Sequence, residues 1–229
     1  MVSAFDRIVL AVPDLGAAAA QYEELLGVAP LPSPEPYPGP AAWLALPNTL
    51  LELRQRDVVQ PAIAGVVFAA PAGFAPRFDD RGLGISLSDG EATRRFRRER
   101  PEAQCHTLCV DHLVLRTADA DACVTLFAGS LGIRLALDRT VPEWGGRMLF
   151  FRAGKLTLEV IDSGPDTTGP DRFWGIAFQC PDIERSAGGM MQRGVALSPI
   201  REGRKPGTRV ATVKSSCLDI PTLLIEPAR

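Results

Sequence analysis

His112 lies within Val110-Asp111-His112-Leu113-Val114-Leu115, and Phe5-Asp6-Arg7-Ile8-Val9-Leu10 near the start of the chain is a close relative of that stretch. One copy carries an imidazole, which titrates near neutrality and binds divalent metals through a ring nitrogen. The other carries a guanidinium, which stays charged and repels a cation. A carboxylate follows each at nearly the same interval, Glu52 after Arg7 and Glu159 after His112. The other histidine, His106, sits six residues before His112, about 20 Å along an extended strand at roughly 3.3 Å per residue, so the two do not easily share one metal. Cys105-His106-Thr107-Leu108-Cys109 lacks the second half of a tetrahedral zinc site. Strand alternation groups His112 with Val114, Thr157 with Glu159 and Ile161, and Thr222 with Leu224 and Glu226.

The elements that must position these groups come from a duplication. Arg7 aligns with His112, and Leu26-Gly27 with Leu131-Gly132, at an offset of 105; Glu52 aligns with Glu159 at 107. Gly65-Val66-Val67-Phe68 matches Gly175-Ile176-Ala177-Phe178 at 110, and Arg81-Gly82 matches Arg193-Gly194 at 112. The drift is that of small loop insertions in the second copy, and the halves divide into domains of residues 1–108 and 109–229. Each half subdivides into strand, helix and two or three strands: a strand at 5–12, a helix at 17–26 ending at Gly27, and strands at 41–46 and 49–54. The second half repeats this with a helix at 120–131 and strands at 134–138, 146–152 and 156–161, then again with a helix at 183–193 and a last strand at 222–226. The module starting at Ala62 has too few residues before Asp111 for its full set of strands, and the run Arg94-Arg95-Phe96-Arg97-Arg98-Glu99-Arg100 there reads as a solvated helix face.

Bulk properties narrow the partners. The 25 basic and 27 acidic residues give a net charge of -2 without long blocks, which excludes a polyanion-binding surface and disfavours nucleic acid. Apolar runs such as 62–70 fall short of the roughly 20 residues of a membrane span. No basic segment with an apolar signal core opens the chain, which points to a cytoplasmic protein, and five cysteines without framework spacing read as reduced thiols.

The repeated βαβββ module, the helix opening VPDLGAAAAQYEELLG, the tract WGGRMLFFRAGKLTLEVID and the ending GRKPGTRVATVKSSCLDIPTLLIEP together resemble the vicinal oxygen chelate superfamily, which includes glyoxalase I, bleomycin-resistance proteins, methylmalonyl-CoA epimerase and the extradiol dioxygenases. The resemblance implies an α+β fold of two cupped-sheet domains, the N-terminal one degenerate. Each cup pairs two modules, with a divalent metal held by the first and last strands of each module. Those four positions fall on His112, Glu159, Gly175 and Glu226. Three are metal-competent, and a ligand could approach the backbone closely at Gly175. One imidazole and two carboxylates suit Mn, Mg, Fe, Co, Ni or Zn; the bland alternative for Glu159 and Glu226 is a buried pair sharing a proton or bonded to Arg147. The extradiol set of two histidines and one carboxylate is disfavoured by the histidine spacing. In the first half, Arg7 and Glu52 are expected to replace the metal by an ion pair.

The leading expectation is therefore a metal-dependent lyase or isomerase/epimerase that chelates two neighbouring oxygens of a small substrate and stabilises an enolate, with His112, Glu159 and Glu226 as ligands and Glu226 as general base. Arg147 or Arg209 would bind a substrate anion, Trp174, Gly175 and Phe178 would line the pocket with Trp144 and Phe151, and the loop Gly203-Arg204-Lys205-Pro206-Gly207 would act as a lid or carboxylate contact. The alternative is a metal-free sequestering protein of the bleomycin-resistance kind. Either would act as a monomer or homodimer.

Overall fold

The computed structural model describes residues 1–34, 39–141, 146–162, 164 and 169–228. Strand β1 (Ala4–Val12) leads into helix α1 (Leu15–Leu26). The Asp14 carboxylate starts that helix by accepting the Ala17 N–H at 3.0 Å, and Gly27 ends it in the left-handed conformation, φ 73°. After β2 (Leu31–Pro32) and β3 (Ala41–Ala45), β4 (Leu50–Gln55) returns parallel to β1. Strand β5 (Ala62–Ala69) runs antiparallel to β1 on its other side, and β6 (Ile85–Ser88) completes a six-stranded sheet of order β2-β3-β4-β1-β5-β6. Helix α2 (Glu91–Glu99) and a single 3₁₀ turn follow.

The second half repeats this plan at full length. It runs β7 (Cys109–Thr117), α3 (Ala120–Cys123) widening into a π-helical turn over Val124–Ser130, β8 (Arg134–Val141), β9 (Gly146–Ala153) and β10 (Leu156–Asp162). The fourth module is β11 (Arg172–Gln179), α4 (Ile183–Gln192), β12 (Arg201–Glu202), β13 (Arg209–Val213) and β14 (Thr222–Glu226). The sheet order is β12-β13-β14-β11-β7-β10-β9-β8. The fold is α+β with two cupped sheets, eight strands against six because the module starting at β5 stops after β6.

Strand pairing reproduces the internal repeat residue by residue. Val9 lies beside Glu52 on one side and Gly65 on the other, and Val114 lies in the same way between Glu159 and Gly175. Ile8, Leu10 and Val12 of β1, Leu113 and Leu115 of β7, and Leu158 and Val160 of β10 point to the helix-bearing faces and join α1, α3 and α4 in one apolar core that runs through both halves. Each such side chain contributes about 1.5–3 kcal/mol on burial, so the core sets which face of every strand turns inward. The opposite faces carry Arg7 and Glu52 in the first sheet, and His112, Val114 and Glu159 in the second. Polar bonds also join the halves: Asn48 exchanges two hydrogen bonds with the Val110 backbone, at 2.6 and 3.1 Å, and Arg193 donates to the Glu24 and Leu25 carbonyls at the end of α1.

Candidate functional site

On the open face of the second sheet, the row Thr157, His112, Ala177 and Leu223 crosses β10, β7, β11 and β14. The next row holds Glu159, Val114 and Gly175, so His112 and Glu159 meet on the diagonal. Their heads come together, His112 Nε2 to Glu159 Oε2 at 3.5 Å, and the other ring nitrogen, Nδ1, is 2.8 Å from Asp111 Oδ2. With Asp111 accepting from Nδ1–H, the lone pair of Nε2 faces Glu159 in the neutral ring. Burial alone would push the imidazole pKa down, but the Asp111 hydrogen bond and the charges of Glu159 and Asp111 outweigh it and hold the value above the usual histidine range. Burial pushes the Glu159 carboxyl up, and His112 and Arg204 offset this only in part. The arrangement is an imidazole–carboxylate pair with a second carboxylate on the other ring nitrogen.

Arg204 acts on Glu159 from the loop between β12 and β13, the segment expected to be a lid or a carboxylate contact. Sequence reasoning assigned no role to Asp111, although it adjoins His112, and none to Arg116, although alternation from His112 through Val114 reaches it directly. Arg116 is on the open face, and its guanidinium lies 4.3 Å from the centre of the Trp174 ring.

Glu226 is placed differently from expectation. One of its carboxylate oxygens accepts the N–H of Ile183, the first residue of α4, at 2.9 Å, and receives Arg209 at 2.6 Å. It shares a face with Leu224, which is fully buried in the helix-side core, so it lies across the sheet from His112. The pairing explains the shift: Ala177 stands beside His112 on one side and Leu223 on the other, which makes Leu223, not Glu226, the cup-facing residue of the last strand. The distance from Leu223 to Glu226 is an odd number of residues, and the side chain therefore flips to the other face.

Three further expected substrate contacts lie off the cup. Arg209 bridges Glu226 and Glu184 on the α4 side, and Arg147 is held by Asp121 and Asp138 at 2.8–2.9 Å on the α3 side. Phe178, like Phe151, is a core residue at 1% exposure or less. Gly175 does face the cup, but the backbone that approaches it is the protein's own: a β-carbon there would stand 2.6 Å from the Pro221 carbonyl oxygen. Its repeat counterpart Gly65 is crowded in the same way by the Gly84 carbonyl. Trp174 stands at the rim, 37% exposed, where β11 bulges, and Trp144 falls outside the described residues.

The open face of the first sheet is closed by the chain itself. Arg7 Nε lies 3.4 Å from Glu52 Oε2 and 3.6 Å from Asp6 Oδ2, its guanidinium 4.6 Å from the centre of the Trp43 ring. Helix α2 supplies Phe96, which packs edge-on against Trp43 at 5.4 Å in a small separate cluster with Ala45, Leu50 and Ala103. The basic run of α2 is thus solvated on one face only, since Arg97 turns in and donates to the Thr49 carbonyl at 2.7 Å.

With this geometry in hand, residues 111–212 match the Glyoxalase/Bleomycin resistance protein/Dioxygenase superfamily. That match covers most of the second half of the chain, the half that carries His112 and Glu159. The whole chain has the fold of a triple mutant of 4-hydroxymandelate synthase from Streptomyces coelicolor, with a TM-score of 0.74 over 100% of this chain and 94% of that one at 14% identity. A stretch of 75 residues is 40% identical to the ethylmalonyl-CoA/methylmalonyl-CoA epimerase of Cereibacter sphaeroides, covering 32% of this chain and 56% of that protein, little more than half its length. Methylmalonyl-CoA epimerase from Mycobacterium tuberculosis aligns over 52% of this chain and 88% of its own at 19% identity, TM-score 0.43.

Members of the superfamily typically use a divalent metal ion. Among the described residues no group of three His, Cys, Asp or Glu side chains could hold one. Two donors remain, and they suit such an ion: two ligands about 2.1 Å from a common centre stand roughly 3.0–3.5 Å apart at tetrahedral or octahedral angles, and the His112–Glu159 gap is 3.5 Å. Asp111 provides the carboxylate that commonly orients a metal-bound imidazole.

Proposed function

We propose that the second cup is the active site of an enzyme that moves a proton on a carbon next to a carbonyl, in the manner of an isomerase, epimerase or lyase, on a small oxygenated substrate. The observation that carries this reading is the Asp111-His112-Glu159 relay on an otherwise mainly apolar strand face. Glu159 is the proton acceptor, because desolvation raises its basicity toward the range in which a carboxylate both takes up and returns a proton. His112, positively charged when protonated, stabilises the oxygen on which negative charge develops, and Asp111 fixes the ring for that contact. If a divalent ion is held here, His112 Nε2 and the Glu159 carboxylate would be its protein ligands, and the ion would supply the positive charge in place of the protonated imidazole. Arg204 adds positive charge at the open side.

The 40% identity to an acyl-CoA epimerase over part of the chain directs the first assay to methylmalonyl-CoA. Wash-in of solvent deuterium at the α-carbon, followed by proton NMR with chelated and metal-supplemented protein, tests the reading. Exchange should fall at least 100-fold in Glu159→Gln and in His112→Ala. Absence of exchange with this thioester and with a hemithioacetal, whatever metal is supplied, refutes it. One observation favours a second reading, a metal-free binder: the β11 and β14 positions beside His112 and Glu159 are Gly175, Ala177 and Leu223, none of which is a metal ligand. Saturable binding of an apolar ligand that survives both chelation and His112→Ala, without exchange, would support the binder instead.

A further inference from the structure

Arg116 is a charged group of the cup that the proton-transfer reading leaves unused. It lies four residues beyond His112 on the same face of β7, about 13 Å along the strand at roughly 3.3 Å per residue. Its Nε is buried and has no hydrogen-bond partner among the described residues, and its planar head rests on the Trp174 ring at 4.3 Å. The residue directly across from it on β11 is another arginine, Arg172, and on β10 it is Ile161. Like charges facing each other across a strand pair repel, and neither strand neighbour of Arg116 in this row, Ile161 or Arg172, offers it a counter-charge. Among the described residues, the carboxylates next in sequence to Ile161 and Arg172 are engaged elsewhere: Asp162 accepts the Ala120 N–H at the start of α3, and Asp171 accepts from Thr117 Oγ1 and Arg81. Arg147 and Arg209, by contrast, are each held by two carboxylates.

A guanidinium held over an aromatic ring presents its N–H groups in one plane as a fork for two oxygens, which is the geometry of carboxylate and phosphoryl recognition. We propose that Arg116, positioned by Trp174, binds an anionic group at the end of the substrate remote from the reacting carbon. This rests on the reading above and narrows it to a substrate class: an anionic molecule on the order of 10 Å long, with an oxygenated carbon acid at His112 and Glu159 and a carboxylate or phosphoryl group at Arg116.

The intact protein is titrated with succinate and with inorganic phosphate at constant ionic strength, following tryptophan fluorescence, with Trp174→Phe to isolate the signal of that ring. At least one anion should give a saturable change, the tighter of the two identifying the group as carboxylate or phosphoryl. Arg116→Gln should weaken it at least tenfold and Arg116→Lys by a smaller factor, with circular dichroism melts showing both variants folded. His112→Ala should leave the anion affinity within twofold, so that a failed exchange assay with intact anion binding counts against the proton-transfer reading and not against this subsite. Arg116→Gln binding the anion as tightly as the parent, no saturable binding of either anion, or loss of binding in His112→Ala would each overturn the proposal.

Discussion

Replacing Glu226 separates its helix-starting role from a place in the cup. At 7% exposure the residue is buried, and its carboxylate oxygen takes the Ile183 N–H at 2.9 Å. In Glu226→Ala that donor, the first N–H of α4, loses its acceptor in a buried setting, which costs about 1–3 kcal/mol. The negative charge beside the helix N-terminus is lost as well, about 0.3–1 kcal/mol more. The Arg209 end of the interaction is solvent-exposed and screened by water. Together these give about 1–4 kcal/mol, which for a chain of this size lowers Tm by roughly 3–16 °C. Glu226→Gln retains an acceptor and should lose about half as much. Urea unfolding and calorimetric melts measure the stability, and isothermal titration with Mn²⁺ or Zn²⁺ measures the metal affinity, which should stay within twofold of the parent. Unchanged stability together with a tenfold or greater loss of metal affinity would show that the carboxylate belongs to the cup, and the placement argued from the β14 register would be wrong.

Other consequences follow from the same geometry. Gly175→Ala forces a β-carbon to 2.6 Å from the Pro221 carbonyl, so β11 and β14 must part; the expected cost is about 1–3 kcal/mol by urea unfolding, and a cost below about 0.5 kcal/mol would refute the crowding argument. Phe96→Ala should cost about 3 kcal/mol and raise the proteolytic sensitivity of residues 89–104, since Phe96 is 2% exposed against Trp43 in the first cup; a silent substitution would mean that α2 does not close it. Because the His112 pKa is raised on folding, the folded state binds the proton more tightly than the unfolded chain. The resulting stabilisation is complete below the ordinary value near 6.5 and is lost as pH rises through the folded value. Parent protein compared with His112→Gln in melts from pH 5.5 to 8.5 should therefore show a stability advantage that shrinks as pH increases, and a growing advantage would reverse the sign of the argument.

The repeat was legible in the sequence because it is written in strand residues: Arg7, Glu52 and Gly65 have their counterparts His112, Glu159 and Gly175 in the same register of the two sheets. The last ligand slot was not, for a physical reason. The first half ends its sheet at β6, so β14 has no fourth-module partner against which an offset could be read, and an acidic residue near the chain end stood in for one. An odd displacement is invisible in composition but moves a side chain from the cup to the helix side. The closing of the first cup was hidden likewise, because a single phenylalanine in a basic run determines which face of α2 turns in. What this leaves in the second cup is an asymmetric surface. The strands β7 and β10 carry Asp111, His112, Glu159 and Arg116, while beside the His112–Glu159 pair β11 and β14 present Gly175, Ala177 and Leu223, with Arg172 and Gln179 only at the two ends of β11. A bound molecule that places its oxygens over the first pair of strands must place its hydrocarbon over the second, since an unpaired polar group set against Ala177 and Leu223 would lose its water without gaining a partner. The polarity of the substrate is thus expected to run across the strands, and the second module, having given up its ligands, orients by exclusion what the first module binds.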